Sequence, residues 1–428
     1  MRLYSTLSRR LEALPPRPGP VRMYVCGPTV YQRAHVGNAR PFVIFSWLAR
    51  WLRERGYEAT FVHNITDVND SIYEAAPGAS AELAERATAW YLEDIAGLGL
   101  GLPDHMPKAT ETIPEIVAMI ERLVSSGHAY AVEGDVYFRV SSHADYGRLS
   151  NQRPDEMAEQ EPNPLKEDPR DFALWKETKE GEDTSWDSPW GCGRPGWHIE
   201  CSAMAEKLLG PVFELHGAGL DIVFPHNENE LAQSRALGSE YARIWMHNGM
   251  LRFVGEKMSK SKGPVATIRA VLDQWGRETL LLFFTTAHWR KPIDFSEETM
   301  EQARAQIETF RNAFVGAGAA SGPVQRERLA KVLDDDFNTP DALALFHEWR
   351  AGGDLASLRY GLDLFGLGSL AQAESAPHEV QALARKREEA RRRKDFDEAD
   401  RARAEIEAAG WEVRDVAEAP GFRLVPRR

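Results

Sequence analysis

Val21-Arg22-Met23-Tyr24-Val25-Cys26, Ala34-His35-Val36-Gly37-Asn38, Phe42–Arg55 and Ala59-Thr60-Phe61-Val62-His63-Asn64 follow one another and decide the fold. The first and last runs are short, apolar and strand-like, and Phe42–Arg55 between them has the length of a helix. Strand, helix, strand is a βαβ unit, and it predicts a parallel sheet. Ligands of such sheets sit at the carboxyl ends of the strands. Two segments occupy such ends: the one after Cys26, and Asn64-Ile65-Thr66-Asp67.

Working outward, His35, Gly37 and Asn38 lie where the helix begins. Backbone N–H groups and the helix dipole favour phosphate there, and glycine permits close approach. Far downstream, Lys257-Met258-Ser259-Lys260-Ser261 places two lysines on a small-residue loop between Gly255 and Gly263. Such a loop can close over a leaving pyrophosphate. Each segment alone is weak. Together, in this order, they read as two halves of an ATP site that forms an acyl-adenylate. Gly217-Ala218-Gly219 before Asp221 adds an acid placed to hold ribose hydroxyls, and Gly249 allows backbone approach to a base.

Cys26 ends a strand, Cys201 follows Trp197-His198-Ile199-Glu200, and His226 and Glu230 share a helix face at four-residue spacing. Two thiols, an imidazole and a carboxylate suit four-coordinate zinc. Spacing alone does not bring Cys26 to Cys201. Buried cysteines beside a surface His/Glu pair fit the same spacing.

Further along, Glu133-Gly134-Asp135, Asn163-Pro164 and Asp168-Pro169 are turn signals, and the stretch they mark reads as an insertion between two sheet halves. Ile244–Asn248 is another strand candidate. From Glu297 onward the chain is helical. Glu298–Phe314 and Val324–Val332 are amphipathic, Thr339 is a candidate N-cap with Pro340 at N1, and His378–Ala409 is a charged helical stretch interrupted at Lys394-Asp395-Phe396-Asp397. Gly410 is placed to end it.

These stretches resemble the cysteinyl-tRNA synthetase family of class I aminoacyl-tRNA synthetases. The matching segments include Met23–Tyr31, Asn64–Val68, Pro169–Lys176, Gly196–Met204, Phe224-Pro225-His226 with Glu228-Asn229-Glu230, and Asp335–Pro340. The resemblance implies an α/β fold: a Rossmann-like catalytic domain with a connective insertion, then an α-helical bundle and a small C-terminal anticodon-binding domain. The expected limits are 1–125 and 191–245 for the two catalytic halves, 126–190 for the insertion and 246–310 for the lysine-loop connector. The bundle is expected over 311–375 and the anticodon-binding region over 376–428.

The resemblance also implies roles. Cys26, Cys201, His226 and Glu230 carry one Zn2+ per chain. His35 and Asn38 stand at the two histidine positions of the phosphate-binding signature, and Lys257 and Lys260 are the catalytic lysines. ATP, with Mg2+, is bound through His35, Gly37, Asp221, Gly249 and Lys260. Thr66 and Asp67 face the ammonium of L-cysteine, and Trp197 either covers the substrate or is a plain core aromatic. His198 and His216 support the metal ligands. Zinc prefers thiolate to hydroxyl, so it separates cysteine from serine, near-isosteres that a hydrophobic pocket discriminates only about 10²-fold. An editing domain is then unnecessary.

The chain departs from the family pattern at Asn227, Ala218, Asn69, Lys262 and Pro264. These positions bear on fine geometry rather than reaction class. Cys192, in Trp190-Gly191-Cys192-Gly193-Arg194, reads as a spare loop thiol or a competing ligand. Arg385-Lys386-Arg387 and Arg391-Arg392-Arg393-Lys394 form a basic cluster that suits tRNA, or, with Glu388, Glu389, Asp395 and Glu398, an exposed helix laced by ion pairs. The likeness of the terminal region to an anticodon-binding unit favours tRNA(Cys). A second enzyme reading transfers cysteine to a sugar amine, as mycothiol-pathway relatives do. A third, a non-catalytic regulatory paralogue, should have lost the signature histidine and lysines, which are retained.

Composition sets loose bounds. The 428 residues are 43% hydrophobic and 27% charged, which suits a multidomain globular protein. No apolar run reaches the roughly 20 residues of a membrane helix, and Met1-Arg2-Leu3-Tyr4 carries no secretory pattern. Three cysteines are too few for a disulfide framework. A cytoplasmic monomer is expected, the oligomeric state on family grounds. A net charge of −13 leaves tRNA binding to a local basic surface.

Overall fold

The computed structural model describes residues 1–153, 157, 161–254, 266–315, 322–372, 376–415 and 420–426. The chain forms two compact units. One is Met1–Thr299 with Lys331–Pro340; the other is Met300–Ala330 with Asp341–Arg428.

The first unit opens with an antiparallel hairpin, β1 (Arg2–Ser5) and β2 (Arg10–Ala13). Then come β3 (Pro20–Val25), α1 (Val36–Glu54) and β4 (Glu58–His63), the βαβ unit expected from the sequence. Helix α1 starts earlier than its apolar run suggests and carries Pro41 inside, at the cost of one backbone bond to the Gly37 carbonyl. Thirteen of its residues are buried, from Val36 to Leu52, so it shows little amphipathic period. Helices α2 (Asp70–Ala75), α3 (Ser80–Gly97) and α4 (Ile113–Ser125) follow.

The turn-rich insertion is more regular than its sequence suggests. Strands β5 (Ala129–Val132), β6 (Asp135–Phe138), β7 (Phe172–Glu177) and β8 (Gly193–Pro195) form an antiparallel sheet in that order. Its strands hold three to six residues, too short for alternation to stand out. Helix α5 (Trp197–Leu209), β9 (Val212–Gly219), α6 (Glu228–Ala236) and β10 (Tyr241–Asn248) complete the core.

The central sheet has the order β10-β9-β3-β4, and every pairing is parallel. From β3 the chain moves to β4 on one side, while β9 and β10 build the other. The carboxyl ends of β3 and β9 therefore flank the crevice where such sheets bind ligands. Both faces of β3 are covered: Val21, Met23, Tyr24 and Val25 are buried.

Residues 331–340 return to this unit. Arg2 N–H donates to the Asp334 carbonyl (2.8 Å), and Asp336 N–H donates to the Arg2 carbonyl (2.9 Å). The Asp336 carboxylate accepts from Tyr4 N–H and from Arg290, each at 2.8 Å. The helix Thr339–Ala351 includes Thr339, whose hydroxyl donates to the Ala287 carbonyl (3.4 Å).

In the second unit Phe310, Phe346, Trp349, Leu358, Leu362 and Phe365 are buried in a helical core. Its last part is a helical hairpin, His378–Arg392 and Phe396–Ala408, followed by the antiparallel strands Trp411–Asp415 and Phe422–Pro426. The break falls at Lys394, whose φ of +61° ends the first helix, and Gly410 at φ +80° ends the second.

Candidate active site

Four side chains from three elements meet beside the crevice. Cys26 follows β3, Cys201 lies on α5, His226 lies in the turn Val223–Asn227 that leads into α6, and Glu230 lies in the first turn of α6. Their ligand atoms are all within 4.8 Å of one another, and all four residues are buried. This group can hold a metal ion. Burial raises the Cys26 thiol well above its usual range, reinforced by Cys201 and Glu230. Burial also works to raise Cys201, but the Cys26 hydrogen bond and His226 bring it down to about 6. Likewise burial opposes ionisation of Glu230, and His216 and His226 overcome it, to about 2. A buried thiolate and carboxylate thus gather where a cation would balance them.

A polar shell fixes these ligands. His216 Nε2 lies 2.9 Å from Glu230 Oε2, and the Tyr241 hydroxyl donates to the same oxygen at 2.9 Å. His198 Nδ1 is 3.1 Å from His226 Nδ1, and the Trp197 ring stacks on His226 with centroids 4.4 Å apart. Asn227, not singled out by the sequence except as a departure, belongs here. Its Nδ2 donates to Glu230 Oε1 (2.8 Å) and reaches Cys26 Sγ (3.5 Å), while its Oδ1 meets His247 Nε2 (3.0 Å). Cys192 is exposed on its loop, beside Asp187 and Ser185, away from this cluster.

The adjoining cleft, about 300 Å³, is lined by Cys26, His35, Asn38, Trp197, Asp221 and Asn248, among others. His35 is the N-cap of α1, and the Asn38 carboxamide accepts from His35 N–H (3.2 Å), half of a capping box. A Cβ on Gly37 would lie 2.8 Å from the His35 imidazole, so glycine here lets that ring fold over the helix start. Burial lowers the His35 pKa against the pull of Asp221, which favours a neutral ring. Asp221 is exposed at the cleft mouth. Gly249 is required locally by packing, since a Cβ would sit 2.2 Å from the Lys291 carbonyl oxygen.

Two expected substrate contacts are engaged elsewhere. Asp67 Oδ1 accepts from Thr110 N–H (3.0 Å) and Oδ2 from the Thr110 hydroxyl (2.6 Å). Thr66 is buried, its hydroxyl accepting from Asn64 Nδ2 (3.3 Å). Neither lines the cleft. Lys257 and Lys260, with Lys262 and Pro264, lie outside the described residues.

At the cleft wall, His63 Nδ1 faces the Val25 carbonyl (3.1 Å) and so carries the proton, leaving Nε2 to accept from the Tyr91 hydroxyl (2.6 Å). In the second unit the basic cluster is divided. Arg387 and Arg391 both pair with Asp415, Arg387 at 2.8 Å, whereas Arg385 and Arg392 are exposed, Arg392 lying 3.9 Å from Glu388 on its own helix.

Comparison with known proteins adds two family models. The one described as "tRNA synthetases class I (C) catalytic domain" matches residues 13–305. The one described as "Cysteinyl-tRNA ligase anticodon binding domain" matches residues 374–423. The chain is 42% identical to a cysteine–tRNA ligase of Halorhodospira halophila, covering 99% of each chain. It is 44% identical to one of Geobacillus thermodenitrificans, covering 95% of this chain and 96% of that one. Among solved structures it is similar to an Agrobacterium radiobacter LeuRS in a ternary complex with tRNA and LeuAMS, with a TM-score of 0.59 and 11% identity, covering 84% and 86%. It is also similar to Mycobacterium tuberculosis methionyl-tRNA synthetase bound by methionyl-adenylate, with a TM-score of 0.55 and 14% identity, covering 83% and 86%. At these identities the likeness is one of fold. No described helix is long and apolar enough to cross a membrane.

Proposed function

The chain belongs to the cysteine–tRNA ligase family of class I aminoacyl-tRNA synthetases, and we propose that it activates L-cysteine with ATP and transfers it to the 3′ end of tRNA(Cys). It is an ATP-dependent ligase. The observation that carries the reading is the buried Cys26–Cys201–His226–Glu230 cluster, which opens onto the same cleft as the helix start at His35.

In the first step a carboxylate oxygen of cysteine attacks the α-phosphorus of ATP. A P–O bond forms to the amino acid, the bond to the β-phosphate breaks, and pyrophosphate leaves. The protein supplies position and charge. The α1 amino end with neutral His35 faces the phosphates, Asn38 holds the His35 backbone, Gly37 gives the ring its place, and Gly249 fits the backbone under the base. Asp221 holds ribose hydroxyls. Lys257 and Lys260 neutralise the departing pyrophosphate, which travels with Mg2+. In the second step a hydroxyl of the terminal ribose of tRNA attacks the adenylate carbonyl. The new ester forms, AMP leaves, and the hydroxyl proton passes to solvent or phosphate.

The donor set of two sulfurs, one nitrogen and one oxygen fits one Zn2+ per chain. Held by Cys26, Cys201, His226 and Glu230, zinc would supply the preference for thiolate that separates cysteine from serine. Trp197, stacked on His226, forms the wall over the substrate side chain. Thr66 and Asp67 are the groups for the ammonium of cysteine, and to reach it they exchange their bonds to Asn64 and Thr110.

The domain reading follows the same lines: catalytic halves over 1–125 and 191–245, the insertion 126–190, the connector 246–310, the bundle 311–375 and anticodon recognition by 376–428, in a cytoplasmic monomer. The match of residues 374–423 to an anticodon-binding family weighs against transfer to a sugar amine. ATP–pyrophosphate exchange run with each amino acid, followed by transfer to tRNA, tests the proposal. Cysteine alone should support exchange, and tRNA(Cys) should accept it. Exchange without tRNA charging, with cysteine passed to an amino sugar, would replace this reading.

A further inference from the structure

Asn248 ends β10 at the cleft, and its side chain has no partner among the described residues. The residue is 1% exposed, and neither its carboxamide oxygen nor its nitrogen meets a hydrogen-bonding group among the described residues. Buried amides are nearly always paired, so an orphaned one that lines a cleft points to a ligand. Its neighbour on the strand, His247, is turned to Thr6 and Asn227, and side chains alternate along a strand. Asn248 is therefore directed away from the metal-type cluster.

Part of the backbone beside it is already committed. Gly249 N–H donates to the Trp289 carbonyl (2.8 Å). The Gly249 carbonyl accepts from the buried Arg40 guanidinium (2.5 Å), which also donates to the His288 carbonyl (3.1 Å). The Met250 carbonyl accepts from Ile293 N–H (3.0 Å). Among the described residues, the Asn248 carboxamide stands at this end of the cleft as a buried side-chain group free to meet a ligand. In register it faces Gly219, two residues before Asp221. A nucleoside whose sugar is held at Asp221 brings its base to this strand end.

We propose that Asn248 is the base-reading residue of the ATP site. Its oxygen accepts from the 6-amino group of adenine and its nitrogen donates to the adjacent ring nitrogen, the pairing that carboxamides make with adenine elsewhere. Arg40 is a positioning residue that holds the Gly249 backbone beneath the base. The inference rests on the ligase reading above.

The test is ATP–pyrophosphate exchange with cysteine, comparing ATP with purine riboside triphosphate, which lacks the 6-amino group. Wild type should favour ATP in kcat/KM by roughly 10- to 100-fold, and Asn248→Leu should abolish that preference. Asn248→Asp keeps the acceptor and should keep part of the preference. The melting temperature gives an independent readout. Without nucleotide, Asn248→Leu should melt at or above wild type, because two unmet polar atoms are replaced by apolar ones. A preference for ATP that survives in Asn248→Leu, or a lowered melting temperature with unchanged preference, overturns the assignment. A wild-type chain inactive in exchange would overturn the ligase reading and this one with it.

Discussion

Asn227 donates to Glu230 across 2.8 Å, and His247 holds the other end of the same carboxamide at 3.0 Å. Because Nε2 of His247 must donate to the amide oxygen, the amide cannot turn, and its N–H2 stays on the ligand side. An asparagine at this departure from the family pattern thus orients a carboxylate of the cluster.

Asn227→Ala should weaken zinc binding by about 10- to 100-fold, the usual cost of losing an outer partner. Competition with a chromophoric chelator measures it. Asn227→His tests whether a ring N–H at this position restores the affinity. Unchanged affinity in the alanine variant would remove Asn227 from the ligand support.

Cys201→Ser should lose about one zinc per chain and cysteine-dependent exchange while remaining folded. Cys192→Ser should leave both intact, since Cys192 sits exposed beside Asp187. Metal analysis of the two purified variants decides it, and loss of metal on changing Cys192 would mean the ligand set is wrongly drawn.

Gly37→Ala places a methyl 2.8 Å from the His35 ring and must push the imidazole aside. Pyrophosphate exchange should slow by about 10-fold or more, with zinc content unchanged. Full activity in this variant would show that the ring's position is immaterial.

His63 gives stability a dependence on pH. Burial lowers its pKa to about 4, with the Val25 carbonyl working the other way. An unfolded chain takes up this proton near pH 6.5, whereas the folded chain refuses it until about pH 4. Stability therefore falls as pH drops from 6.5 to 4 and levels off below. The contribution is at most about 3 kcal/mol for this group. The buried imidazoles of His198 and His247 act in the same sense, so the measurement is a difference. His63→Phe should show a smaller loss of melting temperature between pH 7 and pH 4 than wild type, and an equal loss would contradict it.

The basic cluster of the second unit divides into two classes of residue. Burial raises the Asp415 pKa, yet the Arg387 and Arg391 bonds prevail and hold it at about 2, the Arg387 bond being the strongest influence. Arg387→Ala should therefore loosen the unit. Arg385→Glu with Arg392→Glu should leave folding intact, weaken tRNA binding and flatten its salt dependence, because fewer counterions are released. Titration of tRNA binding at several salt concentrations reads this out. An unaltered salt slope would move the tRNA surface elsewhere.

The βαβ core was legible because β3 and β4 are apolar runs at either end of a helix-length segment. The start of α1 was less so, since Pro41 mimics a boundary and burial on all sides erases the helical period. The insertion's sheet was hidden by strands too short to alternate visibly. For the site, the family resemblance joined Cys26 to Cys201 across the sheet, which spacing cannot do. Asn248 and Arg40 carry no sequence signal of their own. One is identified by lacking partners and the other by being buried with two carbonyls, and both are properties of three-dimensional neighbours.

The pairing of Arg2 with Asp334 and Asp336 has a consequence for how the chain is made. These partners are about 330 positions apart, so β1 leaves the ribosome long before the segment that completes it. Until then the nascent chain presents an open strand edge, a template for unwanted association. A catalytic fragment cut at residue 305, where the catalytic family match stops, would keep that edge permanently and would lack the Asp336 anchor for Arg290 and Tyr4. A fragment intended to fold should extend through Pro340.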